Sequence, residues 1–270
     1  MTERKKGEAM QTNAAGDKKM PLVSVVMPAY NSEAYIESAI RSVQKQTVED
    51  WELLVLEDGS KDSTPEMVAK LAAEDPRIRL LPNEQNMGPA RTRNRGMDLC
   101  TGQYIAFLDS DDIWYPDKLE KQLALAEQYN ADIIYCSYAI VDAQGNPRSA
   151  DFIVPPQADL KYMLVKSVFS CSTAMLRRSS VGEIRFPVDF YHEDYAFWLD
   201  LLQHGLVARG ATEVLAAYRV SENSRASNKL ASAVRRWHIY RKFLHYSFFR
   251  SAWYLMRYAF AGVLKYRKKQ

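Results

Sequence analysis

Residues 109–112 read Asp-Ser-Asp-Asp and close an apolar run, YIAFL at 104–108. Several ionised carboxylates cannot leave a buried strand without a counter-charge, because each desolvated anion costs several kcal/mol. Asp109 and Asp111 are two residues apart, so on an extended segment they project the same way. They can converge on one hard divalent cation, Mg2+ or Mn2+, that keeps places for diphosphate oxygens and water. Taken alone, such an Asp-x-Asp is more often a surface loop in which Asp112 caps the following helix. Its place at a strand end favours the cation.

Other stretches carry polar signals at comparable places. In MPAYN, Tyr30 offers an aromatic face suited to stacking on a base, although the motif by itself is a turn. LEDGSKDST ends a run with Asp58 and Gly59, where a carboxylate can accept from a base edge or a ribose; by itself it is a turn and an N-cap. NMGPARTRNRG brings Arg91, Arg93 and Arg95 into the helix before the acidic run, and one of them can touch phosphate while the others line a helix surface. YHEDYAFWLDL places Glu193 and Asp194 at the start of a helix, where the dipole favours the anion and a helix cap is the plain structural explanation.

These segments need a scaffold. From Leu22, short β-rich runs alternate with helical patterns: LVSVVMP, SEAYIESAIRSVQKQ, WELLVLEDGS, TPEMVAKLAAED, IRLLPN, a helix over 90–99, and YIAFLD. Strands separated by helices imply right-handed crossovers and an α/β fold with a mostly parallel sheet, whose ligands sit at the carboxyl ends of the strands. Beyond Asp112 the pattern predicts a helix over 116–129, a strand in ADIIYCSYAIVDAQGNP that closes in a turn, and a short helix near 159–166. A strand in FSCSTAMLRR and a helix from HEDYAFWLDLLQHG stopped by Gly205 complete it.

The chain has 270 residues, 47% hydrophobic and 26% charged, enough for one full core with an appendage. The expected division is a disordered leader at 1–20, a catalytic domain at 21–222 and a basic, aromatic helical tail at 223–270. Cys100, Cys136 and Cys171 are widely spaced and suggest no disulfide framework, which points to a reducing cytoplasm. Net charge is only +3, yet no acid follows Glu222 while Arg and Lys recur to Lys269. The charge-free stretches there are shorter than the roughly 20 residues of a membrane-spanning helix.

In this order and at these distances, SVVMPAYN, EDGSKDST, NMGPARTRNRG and YIAFLDSDD resemble the nucleotide-binding half of glycosyltransferase family 2, whose members have the GT-A fold. The resemblance covers about residues 22–220, and no single motif carries it. It implies that Pro28, Ala29 and Tyr30 border the base, that Asp58 binds it, and that Arg93 lies near the nucleotide. Asp109 and Ser110 would border the ribose and diphosphate, and Asp111 would coordinate Mn2+ or Mg2+. The family's Glu-Asp pair falls on Glu193 and Asp194, which makes Asp194 the candidate general base on the acceptor side. One departure stands out: many members have His where this chain has Ser221, so Arg219 or Arg225 is an alternative diphosphate contact.

The implied activity is inverting, metal-dependent transfer from a nucleotide diphosphate sugar, with UDP expected, to a glycan or polyprenyl-diphosphate-linked glycan in bacterial surface polysaccharide synthesis. The tail admits three explanations. Trp237, Tyr240 and Leu244 form an apolar stripe that could be core, or residues 229–269 could rest on an anionic membrane from the cytoplasmic side. Nucleic-acid binding ranks last, because it would leave the interleaved hydrophobes exposed. A sugar-1-phosphate nucleotidyltransferase needs a Gly-rich basic loop after the first strand, and MPAYNSEAY lacks it. A dinucleotide oxidoreductase needs GxGxxG there. An inactive sugar-nucleotide-binding homologue is opposed by the presence of both acidic motifs.

Overall fold

The computed structural model describes residues 20–220 and 229–267. Among these residues the sheet has nine strands, in the spatial order Ile78–Pro82, Trp51–Glu57, Val23–Ala29, Tyr104–Phe107, Met175–Arg177, Ile133–Val141, Ala208–Arg219 and Ile113–Trp114, with Pro147–Phe152 beside Ile133–Val141. The first four are β1 (Val23–Ala29), β2 (Trp51–Glu57), β3 (Ile78–Pro82) and β4 (Tyr104–Phe107), all parallel. They alternate with α1 (Ile36–Gln44), α2 (Thr64–Glu74) and α3 (Pro89–Leu99), as the sequence predicts. Register sets their ends side by side: Ala29 pairs with Glu57, Glu57 with Pro82 and Val26 with Phe107. The loops after β1, β2 and β4 therefore leave one edge of the sheet together.

β1, β2 and β4 are largely apolar because both of their faces are covered, with Ser24 and Glu52 polar near the strand starts. Val26, Leu54, Leu56, Ile105 and Phe107 point to one face, and Val25, Leu53, Val55, Tyr104 and Ala106 to the other, the period-two alternation of a strand. Ile36, Ile40 and Val43 of α1 and Val68 of α2 cover the second face. The first receives α3 through Ala90 and Met97. Helix α3 opens with Gly88 at φ 79 and Pro89, a pairing that turns the chain and presets helical φ.

Past β4 the sheet becomes mixed. β5 (Ile113–Trp114), β6 (Ile133–Val141), β7 (Pro147–Phe152), β8 (Met175–Arg177) and β9 (Ala208–Arg219) include antiparallel pairs β4–β8, β6–β8, β6–β7 and β5–β9. Helices α4 (Lys118–Gln128), α5 (Leu160–Val165), α6 (Arg178–Val181) and α7 (Glu193–Gln203) connect them. FSCSTAMLRR holds a shorter strand than predicted. Ser170 and Thr173 cap each other across a 3-10 turn at Cys171–Thr173, hydroxyl bonds that compete with a β ladder.

The C-terminal part forms α8 (Lys229–His238), a π-helical turn at Ile239–Phe243 and α9 (Phe248–Arg267). Ile239, Tyr240, Leu244, Tyr246 and Tyr254 are buried in the same cluster as Phe197 and Trp198 of α7. Two members of the apolar stripe read from the sequence, Tyr240 and Leu244, are thus core residues, and Trp237 meets Phe248 edge-on at 5.3 Å. Among the described residues no helix is long and apolar enough to cross a membrane.

Helix α3 lies close on β1 because Gly96 has no side chain: a Cβ there would run into Val26 Cγ1. Gly96→Ala is expected to cost about 1–3 kcal/mol by overpacking. It should appear as a lower urea midpoint with unchanged m; an unchanged midpoint would mean that α3 can move off β1 freely.

Candidate active site

The loops after β1 and β2 are stitched together. Asn31, at φ 48, donates from its backbone to Ser60 Oγ at 3.0 Å and accepts from Lys61 N at 2.8 Å, while Asp58 N donates to Ala29 O at 2.9 Å. Ala29 is buried, Pro28 half-buried, and Tyr30 is 47% exposed at the rim. The buried Asp58 carboxylate accepts from Asn83 Nδ2 at 2.6 Å, Met87 N at 2.8 Å and Gly88 N at 2.9 Å. It thereby fixes the loop that starts α3. An ionised carboxylate has about four acceptor sites, so one remains.

Helix α3 sends Arg93 inward, while Arg91 is exposed and Arg95 reaches back to Pro82 O at 2.9 Å. The buried Arg93 guanidinium donates to Asp109 Oδ1 at 2.6 Å and to Glu193 Oε1 at 3.3 Å, and lies 5.7 Å from the Phe186 ring. Burial is the largest single influence and works against its charge, but the surrounding groups, Asp109 first and Glu193 among them, together outweigh it and hold the cation more firmly than usual.

After β4 each acid has a different setting. Asp109 is paired to Arg93, and its backbone N–H donates to Ser172 Oγ at 3.1 Å. Ser110 Oγ lies 2.7 Å from Ser32 Oγ. Asp112 is buried and caps no helix: it accepts from Ser172 Oγ at 2.5 Å and from Arg219 N at 2.8 Å. Asp111 is exposed. Protein crowding around it, followed by the like charge of Asp109, pushes its carboxyl up to about 6. The like charge of Asp109 is the part of this rise that a cation would relieve.

On the other side of Arg93 stands the start of α7. His192, at the N-cap, is left-handed with φ 75 and ψ 45. Glu193 is held by Arg93, whereas Asp194 accepts from its neighbour Tyr195 N at 2.7 Å. Burial raises the Asp194 carboxyl above the usual range. The structure thus joins Arg93, Asp109 and Glu193 directly, with Ser110, Asp111 and Asp194 next to them in the chain. Arg219 approaches the cluster, its guanidinium 4.4 Å from the Tyr35 ring and its charge lowering the Asp111 carboxyl. Ser221 and Arg225 lie outside the described residues. A cleft of about 440 Å³ lies between the start of α3 and the segment before α7, with Arg91, Tyr191 and Glu193 on its walls.

Among the described residues no three His, Cys, Asp or Glu side chains converge as a closed metal site. Asp111 is the carboxylate open to a cation, and Asp109 has committed one oxygen to Arg93. One or two carboxylates completed by substrate phosphates is how Mg2+ commonly binds. The residues present therefore fit a cation that arrives with a diphosphate.

Sequence reasoning missed Ser172 and Asn94. Ser172 joins Asp109 to Asp112, and its carbonyl accepts from Trp114 Nε1 at 2.7 Å. Asn94 ties α3 to the Phe186 backbone through two bonds of 2.8 Å. A polar residue inside the Arg motif was the available signal for Asn94; for Ser172 there was none, because its partners are about 60 residues away in sequence.

A model of the glycosyl transferase family 2 domain matches residues 24–185. A relative 36% identical over 247 residues, covering 91% of this chain and 95% of its own, is the Escherichia coli UDP-Glc:α-D-GlcNAc-diphosphoundecaprenol β-1,3-glucosyltransferase WfgD. In fold the chain is similar to S. aureus TarS in complex with UDP-GlcNAc, with TM-score 0.70, 21% identity, and 88% of this chain and 71% of that one covered. It is likewise similar to the mannosyltransferase PcManGT of Pyrobaculum calidifontis in complex with GDP-Man and Mn2+, with TM-score 0.67, 18% identity and coverage of 90% and 74%. The curled mixed sheet with its flanking helices is the GT-A architecture of these enzymes. With the family model spanning more than half of the chain and the acidic strand end built as described, this protein is a member of glycosyl transferase family 2.

Proposed function

We propose that this glycosyltransferase moves a sugar from a UDP-sugar, with inversion, onto a lipid-linked glycan in surface polysaccharide synthesis. The observation that carries the reading is the buried Arg93, which holds the acids of the β4 end and those of the α7 start against one another. Such an arrangement sets a donor diphosphate beside Asp109 and Asp111 and an acceptor hydroxyl beside Glu193 and Asp194. Pro28, Ala29 and Tyr30 border the base, the free acceptor site on Asp58 receives its edge, and Ser110 and Arg219 face the ribose and diphosphate. WfgD, named for UDP-Glc and a diphosphoundecaprenol acceptor, supports the substrate classes.

Asp194, raised by burial, is the base. It takes the proton of the acceptor hydroxyl as that oxygen attacks the anomeric carbon from the face opposite the diphosphate. The carbon–oxygen bond to the diphosphate breaks with its electron pair, and one displacement inverts the centre. Asp111, with the diphosphate oxygens, would hold Mn2+ or Mg2+; when bound, such a cation neutralises charge gathering on the leaving group. The Mn2+ in the PcManGT complex supports that assignment.

The tail would rest on an anionic membrane at the cytoplasmic side. Phe249, Trp253, Met256 and Phe260 on one side of α9 are between 57% and 84% exposed. The exposed cations Arg241, Lys242, Arg250 and Arg257 accompany them, and the segment contains no acid. Aromatics at headgroup depth with cations around them match an interfacial helix.

Asp111→Ala, or EDTA, should abolish transfer and weaken UDP-sugar binding while the circular dichroism spectrum stays unchanged; full activity in EDTA would refute the metal assignment. Asp194→Asn should still bind donor yet lose on the order of 10² to 10⁴ in turnover, and normal transfer would return the pair to a helix cap. Replacing Phe249, Trp253 and Phe260 with Ser should abolish sedimentation with phosphatidylglycerol vesicles without lowering slow donor hydrolysis. Wild-type binding should weaken with salt, since screening acts over about 8 Å at physiological ionic strength.

A further inference from the structure

The turn that carries Glu193 and Asp194 is gripped from behind by the C-terminal helices. Phe190, before the turn, meets Phe243 of the π-helical turn edge-on at 5.3 Å. The Arg235 guanidinium covers the Tyr191 ring at 3.5 Å. Tyr195, directly after Asp194, lies 4.2 Å beneath the Arg236 guanidinium and accepts from Arg236 Nη1 at 2.6 Å, while its hydroxyl donates to Met163 O at 2.9 Å. Residues on both sides of the acidic pair are therefore fixed by two consecutive arginines of α8.

Two features make this more than ordinary packing. Arg236 is buried and has no carboxylate partner among the described residues. Its charge is met by Leu164 O, the hydroxyls of Tyr195 and Tyr240, and the ring faces of Tyr195 and Tyr258. A buried cation of this kind is a poor device for stability alone, and an apolar residue of similar volume would pack there with less desolvation. The other feature is His192, between the two gripped tyrosines, whose φ of 75 is a left-handed conformation that a residue with a side chain holds only when its surroundings impose it.

We propose that Arg235 and Arg236 are positioning residues for the acceptor-side acids: through Tyr191 and Tyr195 they hold His192 left-handed, and with it the direction of the Glu193 and Asp194 side chains at the start of α7. The inference rests on the reading of Asp194 as the base. It makes the basic tail part of the catalytic apparatus, since α8 packs with α9, which carries the exposed apolar side.

The test uses the full chain with UDP-glucose and α-D-GlcNAc-diphosphoundecaprenol as probes. Arg235→Ala, at a half-buried position, is expected to lower kcat on the order of tenfold to a hundredfold, the effect of a small misplacement of a reacting group. Donor KM should stay within about twofold, which separates positioning from lost binding. Arg236→Gln should behave alike, and Arg236→Lys, which keeps the cation, should recover part of the rate. Glycine adopts the left-handed conformation without a steric penalty, so His192→Gly added to Arg235→Ala should restore part of kcat, a response that general loosening would not give.

Hydrogen exchange over residues 189–197 supplies an arm that needs no substrate. Exchange there should be faster in Arg235→Ala and in Arg236→Gln, with β1–β4 unchanged. If the wild type does not transfer between these probes, the substrate reading fails and the exchange arm alone decides the bracing. Should Arg236→Gln not fold, Arg235→Ala decides. Unchanged kcat, or unchanged exchange, in the folded variants overturns the proposal.

Discussion

The buried guanidinium of Arg93 is the contact on which the arrangement of the site depends. It joins a residue at the end of β4 to one at the start of α7, which are 84 positions apart, Asp109 and Glu193. Its energetics are unfavourable in part: Nε is buried with no hydrogen-bond partner among the described residues, at a cost of about 1–3 kcal/mol, and the ion must be taken out of water. Ion pairs of this kind contribute little net stability but cost much when one partner is lost. What Arg93 provides is registry. The arginine can reach both acids only because Gly96 lets α3 lie on β1 and Asp58 fixes the loop ahead of it.

That registry explains why three carboxylates can leave one buried strand. They are not equivalent. Asp109 is compensated by a cation, Asp112 is enclosed by Ser172 and the Arg219 backbone, and Asp111 alone opens to solvent. Burial, followed by the charges of Asp111 and Asp109, pushes the Asp112 carboxyl far above its ordinary range. The network around Ser172 therefore holds an acid that resists ionisation next to the one that is exposed. Two neighbours fix the loop's shape, and the third is left exposed, the acid to which the proposed reading gives the ligand.

Much of this was legible in the sequence, and the parallel half most of all. A strand buried on both faces must be apolar along its length, so polar residues at its end announce the edge of the sheet, as at Ala29–Tyr30, Glu57–Asp58 and Phe107–Asp109. The mixed half was less legible. β7 has exposed residues with no alternation to mark it, and the hydroxyls of Ser170 and Thr173 break a run that reads as a strand. Ser172 carried no local mark because what defines it is two distant acids brought together by folding. The tail was the hardest case, since aromatic residues suit a core and an interface equally.

In α9 the helical period separates a buried side from an exposed one residue by residue. Ser251 and Tyr254 face the protein and are buried, whereas Phe249, Trp253, Met256 and Phe260 point away. A helix that is apolar on opposite sides needs an apolar environment on each. The protein supplies one, through α5 and α8. The other side is a contiguous run of large hydrophobes of the kind a soluble surface seldom leaves open, and the charges beside it are all of one sign. A nucleic acid would satisfy the cations but leave the rings in water. The proposed lipid surface would satisfy both, and because the same helices grip the segment around Glu193 and Asp194, the exposed apolar side of α9 and the geometry of the acidic pair belong to one packed unit.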